Sequence, residues 1–219
     1  ERYMAGVLSG RILACRWVRL FCERHVQDLK SGRKRGLYFD RLAAAHAIEF
    51  FSYTRHSKGR WAGKPFALEP WQQAVIWVLF GWYRKKTGTR RFRSAYIEIA
   101  RKNGKSLLAS AVALYMLLAD GEPGAEIYSA ATKRDQAKIT FGEAARMVKA
   151  SSYLSEHITV HKDQLFVKWD TASCYVPVGR DSNTMDGFNP HCAIVDELHA
   201  HKTSETWDVL ETGTGSRTQ

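Results

Sequence analysis

The sequence predicts an α/β domain: a mostly parallel sheet flanked by helices, preceded by a helical region. Three observations predict it. Apolar runs alternate with stretches of helical period from about residue 94 onward. One run breaks into a loop ending Gly104-Lys105-Ser106. Another, Cys192-Ala193-Ile194-Val195, ends on the acidic pair Asp196-Glu197. Alternating strands and helices favour parallel pairing, and the ligands of such sheets bind beyond the strands' C-terminal ends.

The elements follow in order. From about Val7 to Lys30, Leu8, Ile12, Cys15, Val18, Leu20, Phe21 and Val26 recur at helical spacing, which predicts one amphipathic helix ended by the Ser31 to Gly36 break. Asp40 is placed to cap a second helix to about Tyr53. A loop marked by Gly59, Gly63 and Pro65 leads to Pro70, the first residue of a helix expected to reach about Lys85. Tyr96, Ile97 and Ile99 predict a buried strand, and Leu107 to Leu118 a helix that is apolar over most of its surface. Gly121, Pro123 and Gly124 end that helix. Ala125 to Ala131 is the next strand, and Thr132 is placed to cap a helix to about Ala150. Ile158 to His161, Gln164 to Trp169 and Ser173 to Val178 read as short strands of an antiparallel elaboration. The buried strand before Asp196 comes next, and Lys202 to Leu210 is expected to be helical.

A chain of 219 residues suits one catalytic domain with a small helical appendage. Its 33 Lys and Arg against 22 Asp and Glu leave a net charge of +11, which favours a polyanionic partner, nucleic acid first. The cations cluster between Arg11 and Arg35 and again between Arg84 and Arg93. The longest apolar run, Ala74 to Phe80, is far too short to span a bilayer, and no signal-like pattern follows Met4, so neither membrane nor secretion is expected. Cys15, Cys22, Cys174 and Cys192 lack C-x-x-C spacing and read as reduced cysteines of a cytosolic protein. His191, His199 and His201 lack structural-zinc spacing and are expected to be satisfied or exposed.

The chemistry lies in the two strand ends. In a strand-loop-helix context, Gly104 lets the backbone approach an anion and Lys105 reaches terminal phosphates. Ser106 can hold Mg²⁺. Arg101, Lys102 and Asn103 complete the nucleotide-binding loop, its two extra cations facing a highly charged ligand or else solvent, although Ile99 stands where the general pattern G-x-x-x-x-G-K-[ST] has glycine. Asp196 can bind Mg²⁺ and Glu197 can polarise an attacking water. Arg180, in the turn-rich segment before the Asp196 strand, and Arg217 are two candidates for neutralising transition-state charge in a neighbouring subunit's site. Trp71 and Gln72 offer an adenine platform or ordinary core. These residues describe a P-loop ATPase. A superfamily-two helicase-like DNA-dependent ATPase, or a non-catalytic DNA-binding protein with a relic P-loop, remain alternatives.

Taken together, Pro70-Trp71-Gln72, Arg101-Lys102-Asn103-Gly104-Lys105-Ser106, the stretch from Ala130 to Ala137, and Asp186-Gly187-Phe188-Asn189-Pro190 leading to Val195-Asp196-Glu197-Leu198-His199 resemble the ATPase domain of tailed-phage large terminase subunits, over about Phe66 to the end. The resemblance implies a P-loop fold of the additional-strand (ASCE) type. It also implies a motor that packages double-stranded viral DNA into a preformed capsid as a homo-oligomeric ring, docked on the portal in the host cytoplasm with a small terminase subunit. By motif, Gln72 would contact adenine, Arg101 and Lys105 the phosphates of ATP, Ser106 and Asp196 the Mg²⁺, and Glu197 the water. Some relatives carry a trans-acting arginine where Asp186 stands here. The expected organisation is an N-terminal helical region over 1–65 and a P-loop ATPase core over 66–219. That core is expected to be incomplete at its C-terminal end, because the family continues into a further strand and a nuclease domain.

Overall fold

The computed structural model describes residues 1–132, 134–179 and 188–214, which fall into two compact units. The first takes residues 1–49 and 67–98, and the second residues 50–66 and the described residues from Ile99 on.

In the first unit, α1 (Arg2–Leu8) and α2 (Arg16–Ser31) replace the single helix expected over about 7–30. Gly10 adopts φ +79°, outside the helical region, and the Ser9 hydroxyl donates to the Gly6 carbonyl at 3.2 Å, so the chain turns before α2 starts. After β1 (Leu37–Phe39), Asp40 Oδ1 accepts the backbone N–H groups of Leu42 (2.9 Å) and Ala43 (3.0 Å) and starts α3 (Arg41–Phe50), which tightens into a 3-10 turn over Phe51–Tyr53. A capping box opens α4 (Pro70–Gly81): the Gln72 side-chain oxygen accepts the Glu69 N–H at 2.8 Å. The helix stops four residues short of Lys85 because Trp82–Arg84 forms β2, paired antiparallel with β1. Two three-residue strands carry too short a pattern to be read from sequence.

Met4, Val7, Cys22, Ala74, Val78 and Trp82 make this unit's core. Asp28, 3% exposed, is ion-paired to both Arg35 and Arg91. Burial opposes its charge, but the two guanidiniums outweigh burial and hold the carboxyl below its ordinary range. Part of the basic charge in each sequence cluster therefore serves the fold.

The strand expected before the Gly104 loop does not form. Residues 94–98 are exposed and without regular structure, with Tyr96 75% and Ile97 39% accessible, and Ile99 and Ala100 are likewise irregular. A strand needs a neighbour to take its backbone hydrogen bonds, and this segment has no ladder partner among the described residues.

The second unit holds a five-stranded sheet in the order β4-β5-β6-β3-β7. Its elements are α5 (Lys105–Leu118), β3 (Glu126–Ala131), α6 (Arg134–Ala150), α7 (Ser152–His157), β4 (Ile158–Val160), β5 (Leu165–Val167), β6 (Asp170–Gly179), β7 (Pro190–Val195) and α8 (Glu205–Gly213). The sheet is mixed rather than mostly parallel. β4-β5 and β5-β6 pair antiparallel because short turns can join them no other way, whereas β3 pairs parallel with both β6 and β7. The Ser173 to Val178 run is thus part of a ten-residue strand that also extends the parallel half. β7 is half-buried over Cys192 to Val195 instead of fully covered, since it closes the sheet order and has β3 as its ladder neighbour. The four cysteines are free thiols, and no helix among the described residues is long and apolar enough to cross a membrane.

Helix α5 packs on β7, β3, β6 and α6. The Ser110 hydroxyl lies 2.7 Å from the Ser106 carbonyl and 2.8 Å from the Thr140 carbonyl, tying the first turns of α5 to α6. On the sheet, Tyr128, Ala130, Val178 and Leu210 form a buried cluster, with Phe188 stacked on Tyr128 at 4.4 Å. Gly213, at the end of α8, sits so close to the start of β7 that a Cβ there would meet the Phe188 carbonyl oxygen and Pro190 Cδ, both at 2.9 Å. Neither neighbour can swing away. Gly213→Ala is expected to destabilise the protein by about 1–3 kcal/mol, read as a lower urea midpoint at unchanged m value.

Candidate functional site

β3 and β7 run parallel with Ala130 beside Val195, so both strands release their chains at the same sheet edge. The Asp196 N–H still donates to the Ala130 carbonyl at 3.2 Å, which holds this residue in line with the ladder. The chain then turns sharply. Asp196 Oδ1 accepts the Glu197 N–H at 2.9 Å, Glu197 adopts φ 51° and ψ 48°, and a 3-10 turn over Leu198–Ala200 follows.

On the other side of the site, the loop from Ala100 to Gly104 folds back on itself. The Asn103 amide donates to the Ala100 and Arg101 carbonyls at 3.2 and 3.3 Å, Lys102 has φ 67°, and Gly104 has φ 77°. Gly104 is the N-cap of α5, and its carbonyl accepts the Leu108 N–H at 2.9 Å. Among the described residues, the non-glycine positions with positive φ are Lys102 and Glu197. Each costs about 1–2 kcal/mol in the left-handed region, and such strain gathers where a backbone is held for a ligand.

The two turns meet. Lys105 Nζ lies 2.6 Å from Glu197 Oε1 and 3.1 Å from Asp196 Oδ1. The hydrogen bond from Lys105, then its charge, lowers the Glu197 carboxyl below its ordinary range, with a smaller contribution from Arg101. The bond to Glu197 raises Lys105 in turn, against partial burial. Ser106 is half-buried beside Lys105, and Arg101, Lys102 and Asn103 are exposed on the loop. Cations at a helix N-terminus facing two carboxylates at a strand end can receive a ligand that carries both anionic oxygens and a hard cation.

Gln72 belongs to the first unit, where it is 3% exposed and its amide oxygen is engaged by the α4 capping box. Arg180, Asp186 and Arg217 lie outside the described residues. His199, read from sequence as satisfied or exposed, is 77% exposed at its side chain, yet its Nδ1 lies 3.4 Å from Glu197 Oε2. The available signal was the Glu-x-His spacing, which brings the histidine beside the glutamate once the chain enters a tight turn.

The sequence model of the family described as "Terminase large subunit, ATPase domain" matches residues 70–219. The chain is also similar to the large terminase subunit of Enterobacteria phage HK97, 32% identical over 143 residues, which are 64% of this chain and 27% of that protein. Among solved structures it is similar to the crystal structure of the HK97 bacteriophage large terminase, with a TM-score of 0.66 and 25% identity, covering 80% of this chain and 35% of that one. The chain thus spans about a third or less of the length of these relatives. The family match runs from α4 through both turns of the site, and the chain belongs to the terminase large subunit ATPase-domain family.

Proposed function

We propose that this chain is the Mg²⁺-dependent, ATP-hydrolysing part of a motor that translocates double-stranded viral DNA into a preformed capsid. The observation that carries this reading is the convergence of Lys105 on Asp196 and Glu197. The fold is read as the ASCE type, in which an additional strand lies beside the strand bearing the acidic pair. The outer side of β7 has no ladder neighbour among the described residues.

In this reading the triphosphate docks on the N–H groups opening α5, and Lys105 exchanges its carboxylate partners for phosphate oxygens. Arg101 and Lys102 add charge for the nucleotide at the loop, and Asn103, whose amide bonds two loop carbonyls, completes the cradle. Gln72 is the residue proposed for adenine; its amide oxygen is engaged by the α4 cap. Ser106 and Asp196 fit Mg²⁺ as oxygen donors on the two turns that Lys105 brings together. Bound there, the ion neutralises charge on the phosphate oxygens. Glu197, released by Lys105, orients a water and takes its proton as the water oxygen bonds to the γ-phosphorus and the bond to ADP breaks. Arg180 or Arg217 completes a neighbouring subunit's site in a homo-oligomeric ring. Double-stranded DNA, the portal protein and a small terminase subunit are the partners, in the host cytoplasm at the capsid portal. The net charge of +11 supports the DNA assignment.

Glu197→Gln is expected to cut turnover by about 10² or more, leaving nucleotide affinity within about several-fold because ground-state binding is untouched. Equal loss of both would count against the role. With no nucleotide bound, Lys105→Met removes the main cause of the lowered Glu197 carboxyl. Its protonation on acidification should therefore move to higher pH than in the wild type, followed by carbon NMR of the glutamate carboxyls; an unmoved titration would argue that the pair does not form in solution. A packaging motor should give no strand separation in a duplex-unwinding assay, whereas unwinding would favour the helicase-like reading.

A further inference from the structure

Glu197 presents two carboxylate oxygens, and the structure gives them different partners. Oε1 is held by Lys105 at 2.6 Å, whereas Oε2 faces Nδ1 of His199 at 3.4 Å. In the ATPase reading Lys105 is drawn to the phosphates when nucleotide binds, and Glu197 then loses its 2.6 Å contact. Besides Lys105, the charges that act on Glu197 are those of His199 and, from an exposed loop, Arg101. His199 is the group that stays. It sits on the 3-10 turn that follows Glu197 directly, and that turn is closed by the Ala200 N–H donating to the Glu197 carbonyl at 2.8 Å. The local backbone thus keeps His199 within reach of Glu197 without help from the nucleotide loop.

We infer that His199 is a positioning residue for the hydrolytic water, its Nδ1–H holding Glu197 Oε2 so that Oε1 is aimed at the water once Lys105 has left. This rests on the ATPase reading of the site. A carboxylate fixed at one oxygen loses its free rotation, and orientation of this kind acts on turnover and not on nucleotide binding.

The test measures ATP turnover and, separately, calorimetric binding of a non-hydrolysable ATP analogue, on the intact protein in its active assembly. Three substitutions are compared. His199→Ala removes the donor, His199→Asn puts an amide N–H where Nδ1 stood, and His199→Gln puts one where Nε2 stood. Turnover should fall about tenfold in His199→Ala and His199→Gln with KM for ATP within about twofold, and His199→Asn should restore it to within about threefold. Wild-type turnover in His199→Ala, or His199→Asn no faster than His199→Gln, would overturn the assignment. Should His199→Ala lose analogue binding through misfolding, the Asn-against-Gln comparison decides alone. Lys105→Ala is the control for the parent reading: wild-type hydrolysis no faster than this variant would overturn the ATPase site itself, and the role of His199 with it.

Discussion

One ammonium group shared by two carboxylates is the constraint on which the site depends. Lys105 stands at the first turn of α5, and Asp196 and Glu197 stand where the chain leaves β7. Their meeting requires α5 to pack on β7 and β3 with its N-terminus at the C-terminal edge of the parallel strands. The ion pair does little for stability. Lys105 and Glu197 are 35% and 48% exposed, and pairs of that kind contribute only about 0–1 kcal/mol. An interaction so weak in net terms is easily exchanged, which suits a lysine that must leave for a phosphate.

The backbone around this pair is less relaxed than the rest of the described chain. Lys102 and Glu197 adopt left-handed conformations on opposite sides of the contact, and Gly104 does the same at no steric cost. The strain is held by ordinary interactions nearby: the Asn103 amide on two loop carbonyls, the Asp196 N–H still in the ladder, and Ser110 bridging α5 and α6. The loop and the acidic turn are thus held in shape by contacts of the chain itself, which leaves less ordering for a ligand to impose.

Charge is divided between fold and function in a way that composition hides. The cluster around Arg35 and the cluster around Arg91 both send a guanidinium to the buried Asp28, and Arg146 similarly pairs with Glu143 in the second unit. Asp28 is desolvated and takes one guanidinium from each cluster, so these two arginines serve the fold. A basic run in a sequence is accordingly a poor map of a DNA-contacting surface.

What the sequence determined by itself was local. The Asp40 cap, Pro70 as the start of α4, the Gly104-Lys105-Ser106 opening of α5, the apolar strand ending on Asp196-Glu197 and the antiparallel β4-β5 hairpin are all written in neighbouring residues, because caps, turns and periodicity act over a few positions. The tertiary structure decided what depends on distant partners. Tyr96, Ile97 and Ile99 have strand chemistry, but a strand exists only where a neighbour accepts its hydrogen bonds. β6 looked like part of a hairpin and also became the parallel neighbour of β3. Trp82–Arg84 left α4 for a partner more than forty residues earlier in the chain. The approach of His199 to Glu197 belongs to the same class: the residues are two positions apart in sequence, and the left-handed turn at Glu197, at the edge of the sheet, brings one beside the other.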